Sequence, residues 1–133
     1  MDLRNFKRVN DLWSKIYPYL AIQVMEYYGR SHGEVLELGP FSGGISVELT
    51  RLHPGSNITI AAQDHGVVDY LRKEIEEAGL NRKTEVDWSE LDKLVFADCL
   101  FDLILFRGAY FFLAEGGKIL WEIKLRSDPA ILP

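Results

Sequence analysis

Cysteine is almost absent from these 133 residues. Cys99 alone occurs, so the chain can form no internal disulfide and suits a reducing, cytoplasmic setting. Long hydrophobic runs are missing too: the longest, such as Leu103 to Phe106 and Ala109 to Ala114, fall far short of the roughly 20 residues that span a bilayer. The opening Met1-Asp2-Leu3-Arg4-Asn5 leads into no apolar segment of signal-peptide type. No transmembrane segment and no membrane partner is expected. A basic excess is also lacking, since 15 Lys and Arg face 20 Asp and Glu for a net charge of -5. The imbalance is uneven. Residues 1 to 30 carry five basic and three acidic groups, 31 to 63 one and three, 64 to 102 five and eleven, and 103 to 133 four and three. A clustered basic face is the footprint of nucleic-acid binding, and only the N-terminal segment could supply one, so nucleic acid is not an expected partner. His32, His53 and His65 show no metal-ligand spacing with one another or with Cys99, and no metal is expected.

What is present is a composition, 47% hydrophobic and 12% aromatic, that suits one globular domain able to bury roughly two-thirds of its unfolded surface. Leu3, Phe6, Val9, Trp13 and Ile16 recur at helical spacing, Pro18 allows a second helix to begin, and Gly29 offers its stop. The rhythm then becomes strand and helix in alternation. Glu34 to Leu38 reads as a strand, Gly39-Pro40-Phe41-Ser42-Gly43-Gly44 as a turn, and Gly44 to Leu52 as a helix ended by Pro54-Gly55. Asn57 to Ala62 is a second strand, Val67 to Ala78 a charged helix with Asp69-Lys73, Arg72-Glu76 and Lys73-Glu77 pairs, and Lys83 to Val86 a short third strand. Phe101 to Phe106 is a buried fourth strand in which Asp102 has a structural place, and Gly117 to Lys124 is a further helix. The pattern predicts an α/β protein with an open sheet.

In such sheets ligands bind at the carboxyl ends of the strands, beside the first strand. Gly39 to Gly44 falls there. Its glycines allow close backbone approach, and the helix that follows presents amide donors. A dinucleotide would require G-x-G-x-x-G, whereas the spacing is G-x-x-x-G-G, and Glu37 would set negative charge beside a pyrophosphate. Both features count against NAD. A cationic ligand without phosphate would be served by Glu37.

Val35-Leu36-Glu37-Leu38-Gly39-Pro40-Phe41-Ser42-Gly43 resembles motif I of the class I S-adenosylmethionine-dependent methyltransferases, with Phe41 where that family usually has its second glycine. Asp87-Trp88, Phe101 to Ile104 with Arg107 to Leu113, and Lys118 to Ile123 resemble later segments of the same family in order. The resemblance implies a Rossmann-like parallel sheet in the order 3-2-1-4 with N-terminal helices, and a single domain over 1–133. That domain comprises a helical segment 1–30, a cofactor-binding core 31–124 and a tail 125–133. It implies S-adenosylmethionine as cofactor and methyl transfer to a small-molecule acceptor. Glu37 would meet the methionine ammonium, directly or through water; Gly39 and Gly43 would let the main chain pass under the cofactor, with Ser42 beside it and Phe41 turned away from it or partly filling its place. Asp64, with His65 beside it, would bind the ribose, unless it only caps a helix. Asp87 would accept from the adenine amine, and Trp88 would give a backbone donor to the ring or pack on it. Arg107 would border the methionine end, and with Tyr110 it is a candidate to face the acceptor. Tyr17 and Tyr19 could close over the site. The family's later strands are expected to be largely missing after the helix at Lys118, as in a truncated member. An alternative is therefore a domain that binds cofactor or partner without turnover. The apolar fourth strand would then pair with a second copy, giving a homodimer, or with Ala130 to Leu132 folded back.

Overall fold

The computed structural model describes residues 2–29, 32–39, 43–90, 93–96 and 100–106. Two helices come first, α1 (Leu3–Trp13) and α2 (Tyr17–Tyr28). The Asp2 side chain caps α1 by accepting from the Asn5 amide at 2.9 Å, and Pro18 lies in the first turn of α2, where its missing N–H costs nothing. Gly29 ends α2 in the left-handed conformation at φ 68°. Then follow β1 (Gly33–Leu38), α3 (Gly44–Leu52), β2 (Ser56–Ala62), α4 (His65–Glu77), β3 (Thr84–Trp88) and β4 (Leu103–Phe106). The expected helix at Lys118, the tail from Leu125, and Cys99 lie outside the described residues.

All four strands are parallel, in the order β3-β2-β1-β4. This is the Rossmann-like α/β arrangement expected. Period-two alternation sorts the side chains: Val35, Ile58, Ile60 and Val86 point into a core shared with Phe6, Tyr17, Ala21, Ile45, Leu49, Val67, Val68, Leu71 and Ile75 from the helices. Leu36, Leu38 and Ala61 point the other way, against Leu94 and Phe101. Asp102 is structural, as expected: its N–H donates to the Glu34 carbonyl at 2.8 Å, and its Oδ2 accepts from the Glu34 N–H at 2.9 Å. The carboxylate thus fastens the start of β4 to β1.

Three boundaries differ from the sequence-based expectation, the first being β4, which begins at Leu103 rather than Phe101. The third strand runs on to Trp88, so Asp87 and Trp88 are its last residues rather than residues beyond it, because pairing with Ala61 and Ala62 continues to the end of β2. The charged helix begins at His65, one residue after its cap Asp64. Of its three expected charge pairs, Lys73–Glu77 closes at 3.9 Å. Arg72 instead turns to β3, where its Nε donates to the Val86 carbonyl at 2.9 Å and its guanidinium stands 4.0 Å from Asp87.

Candidate functional site

The register places Leu38, Ala61, Asp87 and Phe106 side by side, so the carboxyl edge of the sheet gathers the ends of all four strands. Glu37 sits at this edge and is fully buried. Alternation turns it to the helix side of the sheet, beneath the first turn of α3. There Oε1 accepts from the Ser46 amide at 2.9 Å. The N-cap residue of α3 is Gly43, which has no side chain to cap with, so β1 supplies the acceptor from across the turn. A buried carboxylate at a helix amino end is stabilised by the hydrogen bond and by the helix dipole together.

Gly39, just after β1, has φ 131°, and Gly43, just before α3, has φ 115°. Both angles lie where L side chains are strained. The second pair of glycines also answers to packing. A Cβ on Gly43 would lie 2.9 Å from a Leu71 methyl, and one on Gly44 would lie 2.1 Å from Cε2 of Tyr17. Tyr17 is buried and holds the amino end of α3 against α2. Tyr19 points to solvent and takes no part in this contact. Sequence reasoning placed Tyr17 near the site but missed its pairing with Gly44, because nothing local signals a contact between helices.

At the ends of β2 and β3 the arrangement is aromatic. The Trp88 indole donates to the Gln63 carbonyl at 2.8 Å. The His65 ring stacks on it with centroids 5.0 Å apart and planes inclined by 5°. Asp64 caps α4, its Oδ1 accepting from the Val67 amide at 3.0 Å, which is the plainer of the two roles expected for it. Asp87 is held near Arg72, a partner the sequence reading assigned to Glu76. The structure thus brings Glu37, Gly39, Gly43, Asp64, His65, Asp87 and Trp88 to one edge. Phe41, Ser42, Arg107 and Tyr110 lie outside the described residues.

This geometry offers a buried Glu37 carboxyl group against a helix amino end, two glycines at positive φ beside it, and an aromatic surface two strands away. Such a set can hold a ligand that combines a positive group with a flat ring.

No family model matches the chain, and no curated protein matches it significantly. Solved structures do. A candidate S-adenosyl-L-methionine-dependent methyltransferase from Methanococcus maripaludis superposes with a TM-score of 0.84 at 22% identity, over 93% of this chain and 57% of its own. A SAM-dependent methyltransferase from Aquifex aeolicus gives 0.79 at 22% identity, over 97% and 69%. The glycopeptide N-methyltransferase MtfA, complexed with sinefungin, gives 0.72 at 17% identity, over 84% and 46%. The chain therefore spans little more than half the length of the first of these structures, and within that span it has the fold of the class I S-adenosylmethionine-dependent methyltransferases.

Proposed function

We propose that this domain binds S-adenosylmethionine at the carboxyl edge of β1 and β2 and serves methyl transfer to a small-molecule acceptor. One observation carries the reading: a fully buried carboxylate, Glu37, lies under a turn bounded by two glycines at positive φ. That charge would repel a pyrophosphate and suits an ammonium group. The fold's relation to a methyltransferase crystallised with sinefungin, an analogue of the cofactor, supports the same ligand.

When bound, S-adenosylmethionine supplies a methyl group on an electrophilic sulfonium sulfur. The protein's part is to orient and to exclude water. Glu37 would hold the amino-acid end, Gly39 and Gly43 would let the main chain approach, Asp64 would accept from the ribose hydroxyls, and the His65–Trp88 stack would lie against the adenine with Asp87 near its amine. No general base is required unless the acceptor must lose a proton.

Calorimetry with S-adenosylhomocysteine tests the reading, with NAD as comparator. Binding of the sulfur nucleoside alone is expected, weakened about tenfold or more in Glu37→Gln, since hydrogen bonds to a charged group contribute about 1.5–3 kcal/mol. No heat at millimolar ligand, or a preference for NAD, would sink it. A second reading, a domain that keeps the fold and binds without turnover, is favoured by the structural work already done by the three acids: Glu37 bonds α3, Asp64 caps α4 and Asp87 faces Arg72. Methyl transfer to any acceptor by the purified protein would dismiss it.

A further inference from the structure

The corner where α1 meets α2 presents large apolar side chains next to uncompensated positive charge. Leu12 is 74% exposed, Trp13 40%, Ile16 43% and Tyr19 70%. Successive tight turns, closed by the bonds Ser14 N–H to Asp11, Ile16 N–H to Trp13 and Tyr19 N–H to Ile16, bring this stretch together at one end of the helix pair. The basic residues Arg4 and Arg8 lie one helical turn apart, with Leu12 one turn further and Lys15 just beyond. None of these three cations forms an ion pair among the described residues.

Asp2 caps α1. Asp11 forms no ion pair with Arg8 or Lys15 among the described residues and lies near Tyr70 on α4, whose hydroxyl pKa is raised first by burial, then by the charges of Glu74 and Asp11. Lys7, on that same side, rests 4.7 Å over the Tyr70 ring. The charge of α1 is thus divided. Its Tyr70 side is balanced within the protein, and its outer side is left positive beside exposed Trp, Tyr, Leu and Ile.

We propose that this corner docks on an anionic bilayer surface, with Leu12, Trp13, Ile16 and Tyr19 entering the headgroup region and Arg4, Arg8 and Lys15 meeting lipid phosphates. Trp and Tyr favour that interface because their rings are apolar with one polar atom. Each cation near an anionic leaflet strengthens binding about fivefold. Competing occupants fit less well. A second copy docked through the same patch would bring like charges together, and a polyanion such as RNA would satisfy the cations but not the aliphatic side chains. No described helix is long and apolar enough to cross a membrane, so the contact would be peripheral. Surface docking needs no spanning run, so the lack of one does not bear on it. The inference stands apart from the cofactor reading.

The test is co-sedimentation of the full chain with large vesicles of phosphatidylcholine alone, or of phosphatidylcholine and phosphatidylglycerol in equal parts. Binding is expected only to the anionic vesicles, reversed by high salt, with a blue shift of tryptophan emission. Reversing charge at Arg4, Arg8 and Lys15 together should weaken it roughly a hundredfold or more, from about fivefold per cation lost. Leu12→Ser with Ile16→Ser, both at exposed positions, should weaken it independently while leaving circular dichroism and S-adenosylhomocysteine binding unchanged. Equal binding to both vesicle types, binding to neither, or binding that neither variant alters would overturn the proposal. So would sedimentation showing that Leu12→Ser breaks a dimer, or a mobility shift with RNA stronger than the vesicle binding.

Discussion

Replacing Gly44 by alanine sets a methyl carbon 2.1 Å from a ring carbon of Tyr17, and a buried ring cannot move aside as a flexible chain end can. Overpacking of this kind costs about 1–3 kcal/mol. Urea unfolding of Gly44→Ala should show that loss, and adding Tyr17→Leu should return part of it, so that the two changes are not additive. Tyr70 offers a second check at this scale. Burial first, then the charges of Glu74 and Asp11, push its hydroxyl above the ordinary value of 10.0. The folded protein therefore holds this proton more tightly than the unfolded chain. Its contribution is complete below pH 10 and is lost as pH rises from there through the higher folded value. Stability measured across that alkaline range should fall less steeply in Tyr70→Phe, which has no proton to lose. Neither neighbour of these residues was legible from the chain. A glycine cluster announces a turn, but that Tyr17 fills the space over Gly44 depends on how α2 crosses α3.

Among the elements, α4 shows how one residue can answer to two demands. Asp64 accepts from the Val67 amide, and loss of such a cap costs about 1 kcal/mol. Asp64→Ala should lower thermal stability accordingly, whereas Asp64→Asn, an equally good cap, should leave stability within a few tenths of a kcal/mol. The nucleoside ligand separates the roles. If S-adenosylhomocysteine binds Asp64→Asn much more weakly than the wild type despite equal stability, the carboxylate also serves the ribose; equal binding would leave it a cap alone. The helices and strands themselves were legible, because their apolar spacing and their stops at Gly29, Pro54-Gly55 and Gly79 are local signals. Arg72 was not, since it forsook an exposed partner on its own helix for a carbonyl and a carboxylate on β3.

At the scale of the whole molecule, β4 is an edge strand of the sheet among the described residues. Pairing of two copies there would bury apolar strand surface that is otherwise an association hazard. Sedimentation equilibrium should show a dimer whose population follows concentration and resists salt, as an apolar contact does; a monomer at all concentrations would refute the pairing. The sequence by itself determined the parallel α/β class, the order of the elements, and a glycine turn with an acid two residues ahead of it. Those features are written in short-range periodicity and in residues whose backbone preferences are their own. Only the tertiary structure decided that Glu37 is buried against Ser46, that His65 lies flat on Trp88, and that the cations of α1 are left beside exposed apolar side chains. Each of these depends on which faces of distant segments meet when the sheet is covered, and burial of one face leaves the other to whatever partner its chemistry suits.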